Sequence, residues 1–401
     1  MSAKGNGKKE IFTALITTGA FISYNVGAGF ASGNELLQFF GAWDKSGIIS
    51  SIISGFIFLI WLCTVLYLVG KKSPAKAATE NYVWVAGPVA GRIFKLCTDI
   101  MVLGCFMLMF SGSSNLLNQQ FGLPNIVGAI ILGVVTLAVV LGGLKAIENV
   151  LGYAGIAILC YVAVFVLVTL FGGNSSADNI NLIPDAVAEG KILRANLFSY
   201  FPFTLFPSLK DLNNPILDGV LYSAQMVIAG FPFFVTLGKR ASNTKQTVLA
   251  ALLSSIAYYA CIVFVIIMVV FNFDAVTDPA TGTMYAFPAL AVVNKLWSAG
   301  GWTYSLLIFT GIFSTAIGYL WVMSDRVFPN QENTKKNKIF IFVMTIFGIL
   351  VGDKVPFSVL INVLFPFIGV AGVIMLIVCT VHLVKIKGDP ETENQEISEN
   401  A

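Results

Sequence analysis

The sequence predicts an all-α membrane protein with ten transmembrane helices in two five-helix halves of opposite topology. Three observations carry this. The 401-residue chain is 57% hydrophobic and only 11% charged, where a soluble domain carries about 25% charged residues to face water. Ten apolar segments lie near the roughly 20 residues that cross a hydrocarbon core. Finally, spans 1 and 6, each opening a set of five, are interrupted in mid-segment by glycine or by glycine and proline. Five is odd, so the second set is inverted. Interrupted helices at matching positions of two halves point to a binding site at the bilayer midplane.

The spans are 11–41, 47–70, 93–117, 124–142, 150–171, 216–238, 247–271, 302–324, 337–352 and 355–384. The basic leader MSAKGNGKKE precedes an apolar run far longer than a signal-peptide core, so span 1 is read as a retained membrane helix. Span 9 is short, and span 10 carries Pro366, which removes a backbone donor and predicts a kink. With the N-terminus cytoplasmic, inner connectors hold 18 of the 24 basic residues; the outer ones hold Lys45, Lys191, Arg194, Lys210, Lys295 and Lys354. The positive-inside rule therefore places both termini in the cytoplasm of a multi-pass plasma-membrane protein. Residues 1–10 form its N-terminus, 11–171 the first repeat, 172–215 an extracellular connector, 216–384 the second repeat and 385–401 an acidic tail. The long connectors 172–215 and 272–301 are expected to form a lid, the second through a helix-like run YAFPALAVVNKLW, with a role as packing elements the alternative.

Composition narrows the chemistry. The net charge of +3 with no basic face speaks against a nucleic-acid partner; the lipid bilayer is the expected surrounding. The six cysteines lie in or beside apolar segments without CxxC spacing and are read as small packed hydrophobes. With a single histidine, His382, no metal cluster or nucleophile–base pair is expected, and no enzymatic activity or cofactor.

Span 1 reads AFISYNVGAGFASGNELLQFF. Gly27, Gly29 and Gly33 each cost roughly 1 kcal/mol against alanine in a helix interior. Ser32-Gly33-Asn34-Glu35 fits a capping box, a signal for starting a helix. Two half-helices joined by an unwound link account for both features, and such backbone is tolerated only beside protein or a watery cavity. Amides at 28–31 would then favour an anion. Gly29 and Gly33 also make a G-x-x-x-G pair, whose bland role is close helix packing. Span 6, LYSAQMVIAGFPFFVTLG, is interrupted at Gly230 and Pro232, and a simple proline kink is its alternative. In span 8, Gly311, Ser314 and Thr315 share one helical face and suit a small hard cation, or else bond back to their own helix. Asp99 is expected to pair with Arg92 or Lys95.

Val26-Gly27-Ala28-Gly29-Phe30 resembles the glycine segment of the amino acid–polyamine–organocation superfamily, and YNVGAGFASGNELLQFF resembles the first helix of YkvI-type membrane proteins. The resemblance implies a LeuT-type fold and alternating access. It puts Gly27 in the substrate site, and places a substrate carboxylate on amides of Ala28, Gly29 and Phe30 and its ammonium on carbonyls near Asn25 and in Ala229, Gly230 and Phe231. Phe106 and Phe110 would wall the side-chain pocket, ordinary lipid or core packing being the alternative for either alone. Sodium would sit among Ser23, Val26, Gly311, Ser314 and Thr315; span 5 lacks the lysine that replaces it in some proton-coupled relatives. Glu35 stands where many relatives are apolar: an outer-gate acid, a proton carrier or the capping carboxylate. The expectation is a secondary transporter for a small neutral solute, a zwitterionic amino acid, coupled to sodium. Alternatives are a proton-coupled or uncoupled amino acid permease and a non-transporting sensor on the same fold.

Overall fold

Apart from one isolated bridge between Thr277 and Met284, all regular structure among the described residues is helical. A computed structural model of the chain describes residues 3–75, 80–142, 175–199, 212–328, 334–352 and 357–387, with 160, 161, 163–165, 167, 168, 205 and 354 besides. Most of predicted span 5, the SYFPFTLFP stretch after Ser199 and the acidic tail from residue 388 lie outside them.

Span 1 comprises α1 (Ala3–Asn25), α2 (Ala28–Ser32) and α3 (Asn34–Leu36), the last continued by a π-helical turn, Leu37–Gly41. There follow α4 (Lys45–Lys72), α5 (Asn81–Phe121), α6 (Asn125–Leu141), a short α7 (Ile183–Ala188), α8 (Pro215–Lys239) and α9 (Thr244–Val270). The chain closes with α10 (Pro288–Leu296), α11 (Ser298–Val327), α12 (Lys335–Phe347) and α13 (Phe357–Lys387). Six of these are long and apolar enough to cross a bilayer: α4, α5, α8, α9, α11 and α13. Ile11–Asn25 and Asn125–Leu141 are shorter apolar helices. The chain is a multi-pass membrane protein.

Polar caps start the long helices where the apolar runs begin. Asp44 accepts from the Gly47 amide (2.7 Å), Asn214 from Leu217 (3.0 Å) and Asn243 from Gln246 (2.8 Å), each satisfying a donor that the first helical turn leaves without a partner. Helix α5 begins at Asn81, twelve residues before the expected span; Gly87 (φ 76°) and Pro88 fold its first leg back. Packing crosses between the halves. Helix α4 lies along α8, α9 lies along α1, α4 also meets α9, and α5 is held by α11 and α13. The α4–α8 seam is close enough to require glycine. A β-carbon at Gly70 would overlap the Val235 carbonyl oxygen, and one at Gly238 the Tyr67 carbonyl oxygen. Lipid tails are as apolar as leucine, so such backbone approach, with the dispersion contacts it gives, holds membrane helices together.

The described parts of both long connectors lie on one side of the bundle. They join where the Met284 amide meets the Lys191 carbonyl (3.0 Å), and α10 supplies the helix expected in YAFPALAVVNKLW. Beneath them a polar zipper ties the second part of span 1 to α13. Gln38 donates to Asn34 (2.6 Å), Asn34 to Ser358 (2.8 Å) and Asn362 to Gln38 (2.6 Å), while the Ala195 amide bonds the Gln38 carbonyl (3.0 Å). Arg194 lies 4.0 Å over the Trp43 ring and donates to the Ala42 carbonyl (2.7 Å). Burial lowers its guanidinium pKa, opposed by the carboxylates of Asp218 and Asp44. In α5, Asp99 pairs with Arg326 of α11 at 3.0 Å rather than with Arg92 or Lys95, because the crossing of the helices brings that guanidinium within reach.

Candidate functional site

Helical backbone lapses at Val26 and Gly27. The Val26 amide still reaches the Ile22 carbonyl (2.9 Å), but the Gly27 amide turns back to Asn25 (3.1 Å), and Gly27 is extended (φ −95°, ψ −162°). Helix α2 restarts at Ala28, and its first internal bond runs from the Ala31 amide to the Gly27 carbonyl (3.0 Å). The amides of Ala28, Gly29 and Phe30 therefore head a helix without acceptors inside it.

The predicted capping box is not formed. Gly33 takes up the left-handed conformation (φ 76°), so α3 starts from Gly33 without a side-chain cap. Ser32 Oγ donates to the Gly29 carbonyl (2.8 Å) and accepts the Asn34 amide (3.1 Å), one residue short of Glu35. Released from capping, Glu35 turns inward. It is buried, and its Oε1 accepts the Tyr222 hydroxyl (2.9 Å), which lies 3.1 Å from that of Tyr258. Its carboxylate fills the space beside Gly29, where a β-carbon would lie 3.0 Å from Glu35 Cδ and closer still to Oε2. Gly29 is thus glycine because Glu35 is there.

These groups meet in a cavity of about 30 Å³, room for a water or two. Of the predicted residues it gathers Asn25, Gly27, Gly29, Glu35, Ala229 and Thr315; Cys105, Met109, Gln225 and Tyr319 join them without having been expected. Gln225 and Tyr222 carried a signal, since polar side chains inside an apolar span seldom lack a role.

Other predicted residues lie elsewhere. Phe106 and Phe110 do pack together, with ring centroids 5.0 Å apart, yet Phe110 rests on Gly348 and Gly352; α5 faces the cavity with Cys105, Leu108 and Met109. The Phe30 ring packs on Tyr258 (5.2 Å) and Phe231 on Tyr82 (4.5 Å), while Ala28 abuts Gly112 and Gly230 abuts Phe234.

The expected break in span 6 is absent. Helix α8 runs from Pro215 to Lys239 through Gly230 and Pro232. Pro232 leaves the Ile228 carbonyl without its helical donor. Thr98 Oγ1 lies 3.2 Å from that oxygen, and the Tyr24 hydroxyl donates to the Ala229 carbonyl at 2.7 Å. Thr98 of a neighbouring helix faces the carbonyl that proline leaves without a donor, so α8 stays closed, and Tyr24 engages the Ala229 oxygen besides.

Of the predicted ion-binding residues, Val26 meets Gly311, and Thr315 lies beside Gly27. A β-carbon at Gly311 would lie 2.9 Å from the Val26 carbonyl oxygen, and one at Gly27 3.4 Å from Thr315 Oγ1. Ser314 donates to the Gly311 carbonyl (3.1 Å), the bland role foreseen for it. Ser23 Oγ and Thr315 Oγ1 are buried with no hydrogen-bond partner among the described residues. Buried hydroxyls are normally satisfied. A partnerless Thr315 hydroxyl beside Gly27, at the helical lapse, fits a hard, oxygen-liganded cation, whereas no cluster of His, Cys, Asp and Glu suited to a transition metal occurs among the described residues.

The fold and this site define a class: an all-helical membrane protein with the LeuT-type fold of known transporters. Among solved structures it resembles a Na+-coupled sialic acid symporter in a substrate-bound outward-open state, 13% identical, covering 92% of this chain and 78% of that one, with TM-score 0.59. It also resembles Mhp1, a nucleobase-cation-symport-1 family transporter in a closed conformation with bromovinylhydantoin bound, 12% identical over 90% and 77% of the two chains, TM-score 0.55. In sequence the chain is similar to the uncharacterized membrane protein YkvI of Bacillus subtilis (strain 168), 23% identical over 354 residues, 87% of this chain and 90% of YkvI. No family model matches the chain.

Proposed function

We propose that this chain is a secondary active transporter working by alternating access, with ten spans in two inverted repeats, which carries a small zwitterionic solute of the amino acid class together with sodium across the plasma membrane. One observation carries the reading. A helical lapse in span 1 borders one small cavity, lined by Gly27, Gly29 and the partnerless Thr315 hydroxyl, with the acceptor-free amides heading α2 and a second partnerless hydroxyl, on Ser23, in the same stretch of span 1. The crossed pairing of α4 with α8 and of α1 with α9 supports the inverted repeat, since exchanging the halves maps one pair onto the other. Sodium coupling of the sialic acid symporter supports the choice of ion. On this reading both termini are cytoplasmic and the joined connectors cover the outer mouth.

The test is uptake of radiolabelled amino acids into liposomes under an imposed sodium gradient. Sodium-dependent, saturable uptake is expected. Changing both Ser23 and Thr315 to alanine should raise the sodium concentration for half-maximal uptake by about tenfold, or 1.4 kcal/mol. The carboxylate of Glu35 in the cavity favours a second reading, coupling to protons. Uptake that ignores sodium and collapses with a protonophore would select it.

A further inference from the structure

Glu35 is 5% exposed and lines the cavity, and it belongs to none of the salt bridges among the described residues. No lysine, arginine or histidine lines the cavity with it. An ionisable group inside a membrane protein usually faces a partner or a pathway. Here one oxygen has a neutral partner, the Tyr222 hydroxyl at 2.9 Å, and Oε2 has no hydrogen-bond donor among the described residues. The acceptors that an unwound span 6 would have offered to a cation are not available, because α8 is continuous and Tyr24 occupies the Ala229 carbonyl.

We infer that Glu35 receives the ammonium group of the solute, so that this cavity selects amine-bearing molecules over their deaminated analogues. The inference rests on the proposed function for its amino acid cargo. An ammonium has three donors and needs three acceptors. The cavity offers Glu35 Oε2 together with two side-chain carbonyl oxygens. Asn25 has only its Nδ2 engaged, on the Phe21 carbonyl (2.8 Å), and Gln225 has no hydrogen bond among the described residues. Charge closes as well. Once the cavity, which here has room for only a water or two, widens to admit them, a zwitterion and one sodium ion bring a single positive charge into a space whose sole charged side chain is this carboxylate, and a buried charge is stable only when compensated. The solute carboxylate falls to the amides heading α2.

The test is thermal unfolding of the purified full-length protein with the twenty amino acids and, for each that raises Tm, its decarboxylated amine and its deaminated acid. Wild type should respond to the amino acid and the amine and be indifferent to the acid, a comparison that needs no variant. Glu35→Gln should weaken the amino acid response by about 30-fold or more in concentration. It should keep a cooperative unfolding transition in choline chloride, which reports an intact fold, and Glu35→Asp should retain amine selectivity. A wild type that responds to no member of the panel, an acid that binds as well as its amino acid, or a Glu35→Gln protein with unchanged affinity each overturns the assignment. So does a variant that binds normally but loses only a response to a proton gradient. Amine binding without flux in liposomes would instead sink the carrier reading and leave the ammonium site standing.

Discussion

The first and sixth spans carry the same kind of punctuation and fold in opposite ways. At Val26-Gly27 the backbone leaves the helix for two residues, and hydroxyls nearby, on Ser23 and Thr315, are left without partners. At Gly230-Pro232 the helix persists, and the hydroxyls nearby, on Thr98 and Tyr24, approach the carbonyls of Ile228 and Ala229. A buried hydroxyl and a freed carbonyl each cost free energy alone and little together. A glycine or proline therefore only creates the possibility of a break. Whether a site forms depends on whether the neighbours bring more polar groups than the backbone can engage, and around span 1 they do.

The contrast is broken most directly by loosening the clamp on α8. Gly70→Ala would drive a methyl into the Val235 carbonyl, where only backbone movement relieves the overlap. Overpacking of this kind should cost about 3 kcal/mol, read as a lower Tm in detergent. Gly19→Ala, in α1, meets nothing within 4 Å and should be neutral or stabilise by up to about 1 kcal/mol. Equal effects of the two would mean that α8 is no more tightly held than α1.

A smaller effect should follow from Tyr24→Phe, which removes the donor to Ala229 O while keeping the ring stacked on Phe233 at 4.5 Å. A buried carbonyl that loses its side-chain donor should lower stability by about 2 kcal/mol. If the freed oxygen instead becomes an ammonium acceptor, amine affinity will rise in Tyr24→Phe, and the two spans are more alike than their backbones.

What local pattern determines, the sequence displays. The apolar runs, the polar caps Asp44 and Asn243, the helix after Pro288 and the lapse beside Gly27 all follow from residues within a few positions of one another. What it conceals depends on distance or on phase. Tyr24 and Ala229 are 205 residues apart and Thr98 and Ile228 are 130 apart, so nothing near Pro232 announces that its carbonyls will be engaged. In α5, residues 105, 108 and 109 face the cavity instead of 106 and 110. In a helix that is apolar on every side, periodicity does not mark the inward face. Glu35 was disguised by Ser32, whose spacing suits a capping box until Gly33 turns left-handed and moves the start of α3.

The finest test concerns the proton of a single hydroxyl. Thr98 Oγ1 lies 3.0 Å from the Phe94 carbonyl of its own helix and 3.2 Å from the Ile228 carbonyl of α8, with the Tyr82 hydroxyl at 2.8 Å on its other side. The Phe94 oxygen already has the Thr98 amide as its helical donor, so the need is greater at Ile228. Thr98→Val should therefore destabilise the wild type, but less so in a Pro232→Ala background, where the restored amide can bond Ile228 itself. Both backgrounds lose the contact to Tyr82 equally, so a double-mutant cycle cancels it and isolates the proline's carbonyl. The coupling should be about 1 kcal/mol, measured by reversible unfolding in detergent. A cycle that closes at zero would show that Thr98 gives its proton to Phe94 alone, and that α8 tolerates Pro232 without help from α5.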